Sequence, residues 1–144
     1  MINVGWAQQG MANVSLARRT PRGISHVAFL VDLYGVGLKD VAVHTGLSRQ
    51  GLDRLHSVGF GESGHEECTL PMAQDLVYGG VAWARRHGFR TPPEALRHLP
   101  YLPAPEAPPD LSRFGGEDGK PLLIMGLEDM ARFLPSGPAG DGAG

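Results

Sequence analysis

The sequence predicts an α+β domain in which antiparallel β-hairpins pack against two or three helices. Three observations carry that expectation. Two apolar runs flank a Pro/Gly turn at Thr20–Gly23, a stretch opening on Pro71 spaces its apolar residues as a helix does, and an Asp-Gly turn at Asp118-Gly119 precedes the apolar run Leu122–Met125. At 144 residues, 42% apolar and 19% charged, the chain is long enough to bury a core without disulfide staples. One domain is expected over residues 1–134, with a proline-rich wrap at 91–110. The last ten residues, PSGPAGDGAG (135–144), hold too little apolar surface to bury and are expected to be disordered.

Met11–Arg18 alternates weakly and carries the β-branched Val14 near its middle. Thr20-Pro21-Arg22-Gly23 is a turn signal, because Pro presets φ and Gly accepts a positive one. Ile24–Tyr34 (ISHVAFLVDLY) follows as the more apolar partner strand, completing an N-terminal hairpin. Within it, FLVDLYGVGLKD (29–40) sets Asp32 in an apolar run, where a carboxylate needs a partner. Gly35 and Gly37 then permit a sharp strand exit, and Lys39 and Asp40 begin the next element. From Leu38 to Gly59 two readings stay open, a continuing strand through LKDVAV or a pair of helices. Ser48 is placed to cap a helix to about Ser57, with Leu52 and Leu55 toward the core.

Met72–His87 is the clearest helix. Pro71 suits its first turn, Leu76, Val77, Gly80, Val81 and Ala84 recur at helical spacing, and Arg85, Arg86 and His87 complement the dipole ahead of a Gly88 stop. Thr91–Asp110 holds seven prolines in 20 residues and is expected to cross the surface without regular structure. FGGEDGKPLLIMG (114–126) reads as a second hairpin with a strand over Leu122–Met125, and Leu127–Leu134 as a short terminal helix.

Together, ARRTPRGISHVAFLVDLYGVGLKDV, LPMAQDLVYGGVAWARRHGF and FGGEDGKPLLIMG resemble a family of small bacterial proteins of undefined function. Its marks are a strand ending VD-aromatic-x-x-G-x-K-D, a helix with a YGxxxxA core and a DGKP hairpin. The resemblance covers about residues 6–126 and implies the order hairpin, helices, hairpin, but no reaction. The final block departs from the pattern, since GLEDMARFL has no proline after its glycine.

A net charge of −2 supplies no global attraction to nucleic acid or anionic membrane, so any such binding needs a local basic patch. One cysteine, Cys68, excludes an internal disulfide and a multi-cysteine zinc site. The N-terminus lacks the basic start and apolar run of a signal peptide, and no stretch approaches the roughly 20 apolar residues of a membrane span. A cytoplasmic location and no membrane partner are therefore expected.

The basic residues fall in two groups, Arg18, Arg19 and Arg22 at the first hairpin, and Arg85, Arg86, His87 and Arg90 at the helix end. On one face they form a compact patch for phosphates. The leading expectation is thus a non-enzymatic binding module without a cofactor, contacting a nucleic-acid backbone or a protein partner through that face. LKDVAVHTGLSRQGLDRLHSVG also fits helix-turn-helix spacing, and is similar to the head-pieces of lactose-repressor-type regulators. There Ala42 is the small residue, Gly46 the turn, and Leu47, Leu52 and Leu55 the core, while Ser48, Arg49, Gln50 and Arg54 face the major groove. A third reading is a metal-dependent nuclease or hydrolase using Asp32 with Asp40, or with Glu66 and Asp75.

The remaining motifs carry less. Gly35-Val36-Gly37-Leu38-Lys39 lacks the full phosphate-loop spacing and reads as a strand exit. His65-x-x-Cys68, with His56, His44 or His26, offers one close chelating pair where structural zinc takes two. Cys68 beside His65 and Asp75 has the makings of a nucleophile, but no cysteine-enzyme motif surrounds it. No catalytic residue and no metal ligand is assigned.

Overall fold

The computed structural model describes residues 1–61, 64–116, 118–123 and 127–134. Strand β1 (Ile2–Asn3) and the short helix α1 (Trp6–Gln9) open the chain, and Gly5 and Gly10 at the helix ends both take left-handed backbone. The expected hairpin follows as β2 (Met11–Thr20) and β3 (Gly23–Asp32), paired from Met11 with Asp32 to Thr20 with Gly23. Gly23 closes it at φ +117°, a value that an L side chain rarely adopts.

Asp32 finds its partners at the strand end. Its two carboxylate oxygens accept the backbone N–H groups of Gly35 (3.0 Å) and Val36 (3.3 Å), so the half-buried acid organises the turn that its own strand needs. The chain then re-enters the sheet as β4 (Gly37–Leu47), antiparallel to β3. This corrects the helix-turn-helix expectation: Ala42, Gly46 and Leu47 belong to a strand, so no first helix exists to carry the motif. Val41 pairs with Phe29 and Val43 with Val27, and this β-branched pairing outweighs the helical spacing of LKDVAVH. Register jumps between Leu30 and Val31, and between Ile24 and His26, take up single extra residues of β4 as bulges.

Helix α2 (Arg49–Phe60) begins where Ser48 was expected to cap it, the Ser48 Oγ accepting from Gly51 N at 3.0 Å. After β5 (His65–Glu66) comes α3 (Leu70–Arg86), capped by Thr69 and carrying Pro71 in its first turn. The sheet order is β4-β3-β2-β1-β5, antiparallel throughout. An α+β fold with an antiparallel sheet is therefore present, as the sequence implies.

Alternation along the strands sorts the two faces. Ala12, Val14, Val27, Phe29 and Val31 point to α3, whose Leu76, Val77 and Val81 complete the core. The Trp83 indole donates to the Gly35 carbonyl at 2.8 Å, tying the end of α3 to the strand exit.

The proline-rich segment corrects a second expectation. Two of its prolines open helical turns, which tolerate a missing N–H at their start, and the segment forms α4 (Pro93–His98) and a 3₁₀ turn (Leu99–Tyr101). Ala95 and Leu102 are buried there. The second hairpin is also corrected in part. Gly116 N bonds to Lys120 O and Gly119 N to Gly116 O, so the turn forms, but residues 121–123 leave it without strand pairing. Residues 124–126 of the expected strand, and the tail at 135–144, lie outside the described residues. Helix α5 (Leu127–Phe133) ends the described chain, with Phe133 buried. Among the described residues no helix is long and apolar enough to cross a membrane.

Candidate functional site

The second face of the sheet is built from polar and small residues. Asn13, Ser15 and Ala17 of β2, His26, Ala28 and Leu30 of β3, and Asp40, Ala42 and His44 of β4 share it through direct cross-strand pairing. Small side chains at Ser15, Ala17, Ala28 and Ala42 make a shallow floor. Helix α2 crosses that floor but buries only Leu52 and Phe60. A hollow of about 700 Å³ opens on one side of it, bordered by Ala17, Arg49, Leu52, His56, Phe60 and His65. A hollow of about 260 Å³ opens on the other, bordered by Ala28, Leu30, Ala42, His44, Leu55 and Val58. Ser15, His56 and Phe60 line both.

Four imidazoles run in series through this space. Ring centres lie 6.0 Å apart for His44 and His26, 5.7 Å for His26 and His56, and 5.2 Å for His56 and His65. Phe60 adds a fifth ring, 5.0 Å from His65 and stacked on it. Ser15 is the tie. Its Oγ lies 2.5 Å from His26 Nε2 and 3.3 Å from His56 Nε2, and both Ser15 and His26 are only 5% exposed.

Burial, and then the neighbouring His56 and His44, hold His26 down to about 4. Burial followed by His65 lowers His56 as well. Both rings are uncharged at neutral pH. Ser15 and His26 are within the reach of a nucleophile and its base. However, a base near 4 is weak at neutral pH, and the buried His26 Nδ1 meets no orienting partner among the described residues. The pair fixes ring positions instead.

The arginines divide. Arg18 is on the α3 side, its guanidinium 4.6 Å from the Tyr101 ring centre and donating to the Tyr101 carbonyl. Arg19 and Arg49 line one depression at the hairpin end, with Arg22 exposed at the adjacent turn. Arg49 also borders the larger hollow and pairs with Asp53 at 3.5 Å. Gln50 and Arg54 are exposed and line neither hollow. Arg85 and Arg86 end α3, which passes Gly37 and Leu38 at Gly80, and Arg90 follows with its N–H on the Phe133 carbonyl. That places them beyond the Asp32–Gly37 end of the sheet, about 30 Å of strand from the Thr20–Gly23 turn. The two arginine groups are not brought together on one face.

The acids also separate. Asp32 is engaged in its turn, Asp40 lies 3.5 Å from Arg132, and Asp75 accepts the Asp110 N–H. Glu66 is on β5, at the opposite edge of the sheet from Asp40. Lys39 approaches the Phe133 ring at 5.9 Å. Among the described residues no three His, Cys, Asp or Glu side chains are arranged to hold a metal ion. Burial raises the Cys68 thiol above its usual range, the reverse of what a nucleophile needs.

Sequence reading named His26, His44, His56 and His65 as zinc candidates, and His65 also as a partner for Cys68, and passed over Ser15 and Phe60. The signal was available. With LKDVAVH read as a strand, the period of two puts Ser15, His26 and His44 on one face, opposite Val14, Val27 and Val43. No family model, no curated protein and no solved structure matches the chain.

Proposed function

We propose that the protein is a binding module that holds single-stranded nucleic acid in the hollows flanking α2. The observation that carries this reading is the run of aromatic rings, His44 to His65 with Phe60, bordered at the hairpin end by Arg19 and Arg49, with Arg22 exposed at the adjacent turn. Bases stack on aromatic rings whatever their sequence, while guanidinium groups hold phosphates. A duplex presents its bases already stacked, so it gains nothing from the rings. The larger hollow follows α2 from Arg49 to Gly61, about 17 Å of helix, room for a few nucleotides.

Fluorescence anisotropy with a labelled oligothymidylate tests this reading. Binding at about 50 mM salt is expected to weaken about 20-fold by 200 mM, from release of counterions at three arginine contacts. Arg49→Ala and His65→Ala should each weaken binding at least fivefold, at roughly 1 kcal/mol or more per lost contact. Arg85→Ala, at the far end of α3, should leave it unchanged. Absence of binding at low salt, or equal loss in the Arg85 variant, overturns the proposal.

A further inference from the structure

We propose that the smaller hollow is a base-selective pocket, which takes one nucleobase carrying an exocyclic amine and turns away thymine and uracil, with Asp40 as the selecting group. The inference rests on the reading of the protein as a single-strand binder and adds a sequence preference to it.

Three cross-strand rows shape the pocket. Leu30 pairs with Asp40, Ala28 with Ala42, and His26 with His44. The middle row has the smallest side chains, so the floor is sunk between Leu30 at one end and two imidazoles at the other. Leu30 and His26 are about 14 Å apart along β3 at the rise of an antiparallel strand. Leu55, Val58 and Phe60 of α2 border the space from the helix side. Its volume of about 260 Å³ is room for one base and too little for a segment of a partner protein. A ring lying over Ala28 and Ala42 has imidazole on one side and leucine on the other, the aromatic and apolar walls that hold an unstacked base.

Two polar atoms of the lining have no partner among the described residues. His26 borders this hollow and not the larger one, and while Ser15 holds its Nε2, its Nδ1 is buried without a hydrogen bond. A buried polar atom left so marks a hollow that the chain alone does not complete. The other atom belongs to Asp40. Its Oδ1 accepts the Val41 N–H at 2.8 Å and lies 3.5 Å from Arg132, which leaves Oδ2 to accept from a ligand.

A carboxylate oxygen only accepts, so an amine on the base donates to it. Thymine and uracil carry no amine, and set a carbonyl on each side of their ring N–H, acceptor against acceptor. Selection comes from repelling the wrong base as much as from holding the right one. The two hollows meet at the C-terminal end of α2, where Phe60 lines both, Gly59 borders the smaller and Gly61 the larger. Neither glycine puts a side chain in the way of a strand that turns one base from the larger hollow into the smaller.

Fluorescence anisotropy with labelled oligocytidylate and oligothymidylate of equal length tests the proposal at neutral pH. Oligocytidylate should bind at least about fivefold tighter, the effect of one amine contact. That ratio should be the same at about 50 and 200 mM salt, because both strands release the same counterions. Asp40→Ala should bring the two strands to within about twofold of each other. Ala42→Leu, which fills the floor and keeps the carboxylate, should do the same. Both positions are exposed, and thermal melts would confirm that the variants fold. Oligothymidylate binding as tightly as oligocytidylate overturns this inference and leaves the single-strand reading in place. A preference that survives either substitution overturns it as well, and no binding of either strand overturns both.

Discussion

Gly37 and Gly80 cross with their backbones in contact. A Cβ on Gly80 would lie 2.8 Å from the Leu38 amide nitrogen, and one on Gly37, at φ +81°, would run into the Gly80 carbonyl oxygen. This crossing sets the depth at which α3 packs on the sheet, and with the Trp83–Gly35 hydrogen bond it fixes where α3 ends. Gly80→Ala is expected to destabilise the fold by about 2–3 kcal/mol, since neither backbone can yield. Gly59→Ala is the contrast. Its nearest neighbour is the Asn13 side chain at 3.8 Å, so a better helix former should add about 0.5–1 kcal/mol. Urea denaturation of both variants measures the difference.

Acid should loosen the α2 side of the sheet before other parts. His26 has a folded value near 4 against about 6.5 unfolded, a depression, so the unfolded chain binds the extra proton first. Its contribution is fully present above about pH 6.5 and is lost as pH falls toward 4. The imidazoles facing it are His56 and His44, which lower it further, and Ser15 holds its Nε2. Thermal melts from pH 7 to 4 should show a falling midpoint, with a shallower fall in His26→Gln. Equal slopes in the two proteins would contradict this assignment.

Asp32 is a structural acid in this account. Asp32→Ala removes the acceptor for two N–H groups at the strand exit and should cost about 1–3 kcal/mol. Millimolar Mg²⁺ or Mn²⁺ should not raise the melting midpoint of the wild-type chain. A rise that depends on Asp32 would instead make it a metal ligand.

Ser48 sets the start of α2 and hence one wall of both hollows. Ser48→Ala should cost about 1 kcal/mol and Ser48→Gly only a few tenths, the pattern of a side-chain cap. Chemical denaturation resolves a difference of that size.

Much of the scaffold was legible in the sequence because its signals are local. Pro21 and Gly23 mark the first hairpin turn, Ser48 and Pro71 mark helix starts, and the alternation of Val27, Phe29 and Val31 identifies a core face. The failures share a cause, since they depend on contacts distant in sequence. LKDVAVH carries both periods, and only β3 lying alongside decides for the strand. The prolines at 92 and 93 read as breakers, but one turn of helix finds a buried place for Ala95. The ring cluster joins residues 15, 26, 44, 56 and 65, which no spacing rule connects until the strand register is known. The arginines looked like one patch because sequence gives their number but not the length of strand between them.

The central claim is that ligand lies on the rings beside α2, and imidazole NMR tests it most directly. The chain carries six histidines, four in the ring series and two, His87 and His98, at the end of α3 and in α4. Titrating a short oligothymidylate at low salt should shift the ring signals of His44, His56 and His65 in proportion to the bound fraction, while His87 and His98 stay in place. Shifts confined to His87 and His98, or no ring shifts at a saturating concentration, would contradict it.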